Sequence, residues 1–294
     1  MIIVCIRGGL GNQMFQYAAG YSLSQRTGSS LKFDVSYFTR KSKEGNTRSY
    51  ALNALGINRP FSSKMDLGLI LVHYLFRTIT SGKYGSQENR SYLFKEQFNR
   101  RFDSRFLEIQ TPVILKGYWE SYKYFECYSE NLRKEFLFPP LNQSGDLWWQ
   151  SEILGSTSAT VGVHIRRGDK VPKGDPVKEY DLLQKKYYQE AMAIISSKMN
   201  DPVFFIFSDD IQWCRDNITP QSTTHYVSLQ NEKKPWIDMY LLHLCQHNVI
   251  GNSTFSWWAA WLNQNPGKIV IAPTWFSRFE PSPYDMYPPD WIVL

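Results

Sequence analysis

The segment Val161–Asp169 reads VGVHIRRGD. Small and apolar residues lead into His164, then two adjacent arginines, a glycine and an aspartate. Apolar residues at consecutive rather than alternate positions indicate a strand covered on both faces, as in a parallel sheet. Fixed charges at the end of such a strand are costly to desolvate unless something binds there. Arginine grips phosphate through a planar fork of donors that never loses its charge. The segment therefore predicts a buried strand ending in a site for a phosphorylated ligand.

The same pattern repeats downstream. Strands are predicted at 160–165, 203–208, 225–228, 248–251 and 268–272, with helices at 184–199, 211–217, 236–246 and 255–263. Apolar strands separated by helices imply a parallel sheet with helices on both faces. The N-terminal half opens the same way: a strand at 2–6, a glycine loop Gly8–Gly11, a helix from about Asn12 to Thr27 and a second strand at 31–35. A further strand is expected at 113–116 and a helix at 118–136, stopped by Pro139 and Pro140. Residues 40–110 are less regular, with a helical segment at 67–80. The Ser, Gly and Thr residues of 145–158 mark the boundary, giving an N-terminal domain 1–150 and a C-terminal, ligand-binding domain 151–294. The fold class expected is α/β, two Rossmann-like halves with a cleft between them. In such sheets ligands bind outside the carboxyl ends of the strands.

Composition sets the bounds. The 294 residues are 43% hydrophobic and 20% charged, which supports a substantial core and argues against global disorder. The formal charge of +6 is no nucleic-acid footprint by itself and suits an anionic small molecule or membrane surface. Basic residues gather between Lys83 and Arg105, interrupted by Glu88, Glu96 and Asp103, and read as a solvated helical face. Cys5, Cys127, Cys214 and Cys245 form no CxxC pair and read as buried free thiols. Arg7 ends the first apolar run too early for a signal peptide, and 67–76 is too short to span a bilayer. A cytoplasmic protein is expected, with the basic stretch as the place for any peripheral membrane contact.

Three polar clusters fall at the predicted strand ends. His164, Arg166 and Arg167 follow the first strand of the second half. Asp209 and Asp210 follow the next. Asn252, Ser253, Thr254, Phe255 and Ser256 open the helix after the strand at 248–251. Hydroxyls at a strand-to-helix turn, beside the N–H groups of a helix start, favour an anion. They also read as ordinary N-caps. The aspartates could hold a metal bound to a diphosphate, accept from a base or ribose, or, for Asp210, cap the next helix. Trp257, Trp258 and Trp261 read as core. At the other end of the chain, Gly9 begins a partial G-x-G-x-x-G whose last position is Met14, with Asp34 ending the second strand. This leaves an NAD(P)-dependent oxidoreductase as a rival reading, and a non-catalytic nucleotide-sugar binding protein as another.

GGLGNQMFQYA at 8–18, HIRRGD at 164–169, FSDD at 207–210 and NSTFSWWAAWL at 252–262, in this order along the chain, resemble the inverting α-1,2-fucosyltransferases of bacteria, the family of the galactoside 2-α-L-fucosyltransferases. The resemblance runs from residue 2 to about 275; only 40–110 lacks its motifs. It implies a GT-B-type fold with GDP-β-L-fucose in the C-terminal half, a terminal galactose as acceptor and no metal or other cofactor. It also implies that Arg166 holds the β-phosphate, and that His164 and Asp209 contact the guanosine. Ser253, Thr254 and Phe255 would wrap the diphosphate and base, and Asn12 would lie near the reacting centre. Arg167 either binds the donor or pairs with an acid such as Asp169. Asp169 is also the expected general base, with Asp175 and Glu179 behind it.

Overall fold

A computed structural model describes residues 1–39, 48–80, 92–167, 183–227, 234–274 and 285–294, without the side chains of 77–80. Asp169, Asp175, Glu179, Lys83 and Arg90 lie outside the described residues. The chain divides into two α/β units, one formed by Met1–Leu137 with Asp285 and Met286, the other by the chain from Phe138 onward with Tyr287–Leu294. The division thus falls at Leu137/Phe138 rather than at 150/151. The polar stretch taken for a linker is a helix, Ser144–Leu154, fixed within the second unit. There Gln150 Nε2 donates to the Tyr240 hydroxyl at 2.7 Å, and Trp149 packs edge-on against Phe205 and His225.

In the first unit, β1 (Ile2–Cys5) pairs in parallel with β2 (Leu31–Asp34) and β4 (Val113–Lys116), and β4 pairs with β3 (Leu93–Lys95). Helix α1 (Leu10–Thr27) lies against this sheet, buried along most of its first fourteen residues. Its closeness rests on Gly20, where an added Cβ would stand 2.4 Å from Val4 Cγ2. Gly28, with φ +65°, ends the helix in the left-handed conformation natural to glycine. A short helix α2 (Ser36–Thr39) and the long α3 (Lys64–Thr80) follow.

The single helix expected over 118–136 is replaced by two 3-10 turns, Tyr122–Tyr124 and Glu126–Tyr128, and a short α4 (Ser129–Glu135). The reason lies just upstream. Trp119 takes φ +59° and its ring is buried against Phe106 and Tyr124. Glu96, one residue beyond β3, accepts the backbone N–H groups of Tyr118 and Trp119 at 2.7–3.0 Å. The chain is therefore latched in an irregular turn where periodicity suggested a helix. The described part of the basic stretch, residues 92–105, is no helical face either. Arg100 (φ +55°) pairs with Glu120, and Arg105 pairs with Asp103 beside a 3-10 turn.

Among the described residues the helices of the second unit are α5 (Ser144–Leu154), α6 (Lys185–Ser196), α7 (Ile211–Asn217), α8 (Pro235–Leu244) and α9 (Thr254–Leu262). The sheet is parallel throughout its described strands, in the order β10-β9-β8-β5-β6-β7. Strands β5 (Thr160–Ile165), β6 (Val203–Ser208) and β7 (Thr224–Val227) are followed by β8 (His247–Val249), β9 (Val270–Ala272) and the short β10 (Ile292–Val293). Every residue of β5 is buried, as its unbroken apolar run requires. Val161, Val163 and Ile165 pack with Tyr187, Tyr188, Ala191, Met192 and Ile195. On β5, Gly162 leaves room for α8: a Cβ there would meet Leu242 Cδ1 at 2.6 Å and Cys245 Sγ at 3.2 Å. Trp257, Trp258 and Trp261 are core. All four cysteines are free; Cys214 and Cys245 are buried as expected, whereas Cys127 is exposed and Cys5 half-buried.

The latch at Glu96 makes a pH prediction. Burial pushes its carboxyl up to about 7, with Glu120 adding to the rise; the two backbone amides and the Arg7 charge oppose it. Between about pH 4.5 and 7 the unfolded chain releases this proton while the folded one keeps it, so stability falls as pH rises through that window. Denaturant titrations from pH 4.5 to 8 should show a loss on the order of 3 kcal/mol from this group. Glu96→Gln should flatten that part of the profile.

Candidate functional site

The three polar clusters converge because their strands are neighbours. β5 pairs with β6 in register to the last residue, Ile165 opposite Ser208, and with β8 on its other side, Val163 opposite Val249. Residues just beyond Ile165, Ser208 and Val249 therefore share one carboxyl edge. This is the place where open parallel sheets bind ligands.

Asp209 links the first two clusters. Its Oδ2 lies 2.5 Å from Arg166 Nη1, and its Oδ1 accepts the backbone N–H of Arg167 at 2.8 Å. Arg166 keeps about a quarter of its side chain exposed. Arg167 turns the other way. Its Nε donates to Asp210 Oδ2 at 3.1 Å and its guanidinium lies 3.8 Å from the centre of the Trp213 ring. Asp210 also caps α7, accepting the Trp213 N–H at 3.2 Å. Among the described residues the acid paired with Arg167 is Asp210, and the pair is held against α7; Asp169 lies outside them. Arg166 and Asp209 are the ones that stand at the edge.

The third cluster closes the other side. Gly251 lies so close to β5 that an added Cβ would be 3.0 Å from the His164 carbonyl oxygen and 3.1 Å from the Tyr188 hydroxyl. His164 is buried and packs against the Phe255 ring at 5.4 Å. Ser253 stands at the N-cap of α9 in an extended conformation, yet its side chain makes no capping bond. Its hydroxyl is not the ordinary cap that the sequence also allowed. Asn252 is buried. Ser256 is buried too, its hydroxyl donating to the Ser253 carbonyl at 3.2 Å, so it braces the turn from within. Thr254 and Phe255 begin α9, whose start directs backbone N–H groups and the positive end of the helix dipole outward. A partly exposed guanidinium beside a helix start suits a phosphate.

Tyr187 and Tyr188 of α6 complete the frame and were missed in the sequence. The Tyr187 hydroxyl donates to the Ile250 carbonyl at 2.7 Å, and the Tyr188 hydroxyl hydrogen-bonds the backbone of Arg166. Desolvation raises both phenols far above their ordinary value, so they act as neutral braces. Both residues also lie in the apolar core, and in sequence they look like nothing more.

The glycine loop of the first unit is a different construction. Gly8, with φ +78°, packs on Asn12, whose Nδ2 would stand 2.7 Å from an added Cβ. Gln13 Nε2 donates to the Gly8 and Ser49 carbonyls, its Oε1 accepts the Ala51 N–H, and Gln16 accepts the Arg7 N–H. The two buried glutamines hold the loop shut from inside. Asp34 accepts from the Ser36 N–H and the Cys5 thiol. Asn12 belongs to the first unit and Arg166 to the second. Among the described residues no group of three or more His, Cys, Asp or Glu side chains is placed to hold a metal.

The comparison that decides the family is a match of residues 88–294 to the model of glycosyl transferase family 11. The chain belongs to that family. An α-1,2-colitosyltransferase of Escherichia coli is 33% identical over the whole of this chain and 99% of its own length. An O-antigen biosynthesis glycosyltransferase of the same organism, WbnK, is 31% identical over 99% of each chain. The human galactoside α-(1,2)-fucosyltransferase 1 is 29% identical over 56% of this chain and 47% of its own. The protein is thus a glycosyltransferase of family 11.

Asp210→Ala removes both the α7 cap and the anchor of Arg167. It should lower the unfolding free energy in a denaturant titration by about 1–2 kcal/mol, while Asp210→Asn, which keeps a cap acceptor, should lose less.

Proposed function

We propose that this family 11 glycosyltransferase moves L-fucose from GDP-β-L-fucose to the 2-hydroxyl of a terminal galactose, inverting the anomeric centre. One observation carries the reading: Arg166, partly exposed and held in place by Asp209, stands at the same carboxyl edge of the sheet as the start of α9. Breaking the fucose–phosphate bond leaves the bonding pair on GDP and positive charge on the sugar. A fixed cation and helix amides at the leaving phosphate stabilise that developing charge without a metal. The acceptor oxygen attacks from the opposite face. Its proton passes to a base, for which Asp169 is the candidate. His164, packed on Phe255, and Asp209 are assigned to the guanosine side of the donor, and Asn12 to the acceptor side.

A second donor has a specific observation in its favour. The Escherichia coli α-1,2-colitosyltransferase is similar over the full length of the chain. Colitose is 3-deoxy-L-fucose, so the two donors differ by one hydroxyl and would use the same diphosphate site. The O-antigen relative favours a surface-glycan acceptor.

Incubation with GDP-fucose or GDP-colitose and a panel of galactose-terminated glycans, with EDTA present, tests both readings. NMR of the product should show a new α-1,2 linkage. Donor binding without transfer to any galactoside would leave a nucleotide-sugar binding protein instead. Arg166→Ala should lower kcat by about 10²–10³-fold; retention of most activity would remove it from the leaving-group role. Asp169→Asn with turnover within a few-fold of the unchanged protein would remove Asp169 as base.

A further inference from the structure

Helix α3 is built inside out. On a helix advancing about 100° per residue, Asp66, Ile70 and Tyr74 fall on one side. Asp66 and Ile70 are the buried residues of its described part, and Tyr74 is half-buried against the Tyr92 ring. The attachment is largely polar. Asp66 pairs with Lys32 of β2 at 2.6 Å and accepts the Ser63 N–H and hydroxyl. These contacts hold the carboxyl down at about 2, so the anchor stays charged at neutral pH. The opposite arc, spanning about 200°, carries Met65, Leu67, Leu69, Leu71, Val72, Leu75 and Phe76, all exposed. Met65 is 78% exposed, Phe76 65% and Val72 63%. A helix on the surface of a water-soluble domain shows the reverse arrangement, with its apolar stripe turned to the core.

Two features choose the occupant. First, the apolar arc is about twice the ~100° lower bound for the stripe that a surface helix turns to its own core, and here it is turned to solvent. A convex half-cylinder of this kind is covered by a medium that flows around it. Second, the arc carries no acidic side chain: Asp66, the helix's acidic residue, is buried and paired, while Lys64 is exposed at the helix start. With a formal charge of +6 on the chain, the match is to a surface that is apolar below and anionic at its rim. Helices that lie in the plane of a membrane interface bury an apolar Leu- and Phe-bearing face among the acyl chains and are drawn to anionic lipid by basic charge.

We infer that α3 docks this protein on a lipid bilayer by sinking its Met65–Phe76 apolar arc into the boundary between headgroups and acyl chains. The membrane contact expected from the basic stretch at 83–105 is thereby moved to a neighbouring, apolar element. Among the described residues no helix is long and apolar enough to cross a membrane, so the contact is one of lying on it. The inference stands on α3 alone and is independent of the donor and acceptor proposed above.

Flotation of the full chain with vesicles of phosphatidylcholine containing a minority of phosphatidylglycerol tests it. The unchanged protein should float with the vesicles. The double variant Leu69→Glu/Phe76→Glu should lower the partition coefficient by more than about tenfold. Its melting temperature should stay within a few degrees, since both positions face solvent. Failure of the unchanged protein to float would overturn the inference, whatever the variant does. So would equal flotation of a folded variant. Light scattering without vesicles adds a third arm: a dimer that the double variant splits, with no vesicle binding, would assign the face to a second copy of the chain.

Discussion

The Asp209 carboxylate is the constraint around which the second unit's site is arranged. Two adjacent arginines at the end of one strand repel each other and have no preferred direction of their own. Asp209 gives them one, by taking the Arg166 guanidinium on one oxygen and the Arg167 backbone N–H on the other. Asp210 then draws the Arg167 side chain away onto Trp213 and the start of α7. One cation is committed to the frame and the other is left at the edge. The register of β5 with β6 makes this possible, because Ile165 opposite Ser208 places the RR and DD pairs side by side.

The same economy of contacts governs the far side of β5. Gly251 is where backbone meets backbone, and any side chain there would press on the His164 carbonyl and the Tyr188 hydroxyl. Tyr187 and Tyr188 tie that turn and the Arg166 backbone to α6 through neutral phenols. The start of α9 is thereby fixed relative to Arg166. Electrostatic stabilisation of a leaving group needs donors that are already in place when charge develops, and these braces supply that rigidity.

Much of this is legible in the sequence. β5, β6 and α7 fall where the apolar runs put them, because strands buried on both faces leave an unbroken pattern. The convergence of three polar clusters followed from placing them all after parallel strands. The partners of the charges were not legible. Nothing in RRGD or SDD says that Arg167 belongs to Asp210 and Arg166 to Asp209, since that depends on strand register. The tyrosines of α6 were hidden for a different reason: an aromatic on a buried helix face looks like packing, and here it is packing and bracing together. Short edge strands such as β3 and β10 carry too few residues for a pattern. α5 was concealed by its flanking serines and glycines, and the turn at Trp119 by a latch, Glu96, that lies more than twenty residues away. α3 was read correctly as a helix, but periodicity alone does not say which face meets the protein.

The central claim is that the carboxyl edge of β5, β6 and β8 receives a nucleoside diphosphate at Arg166. A crystal structure of the protein with GDP tests it most directly. The account predicts the β-phosphate within hydrogen-bonding distance of the Arg166 guanidinium and of the first backbone amides of α9, with the base towards His164 and Phe255. A diphosphate bound instead at the Gly8–Gly11 loop, with no contact to Arg166, would contradict it.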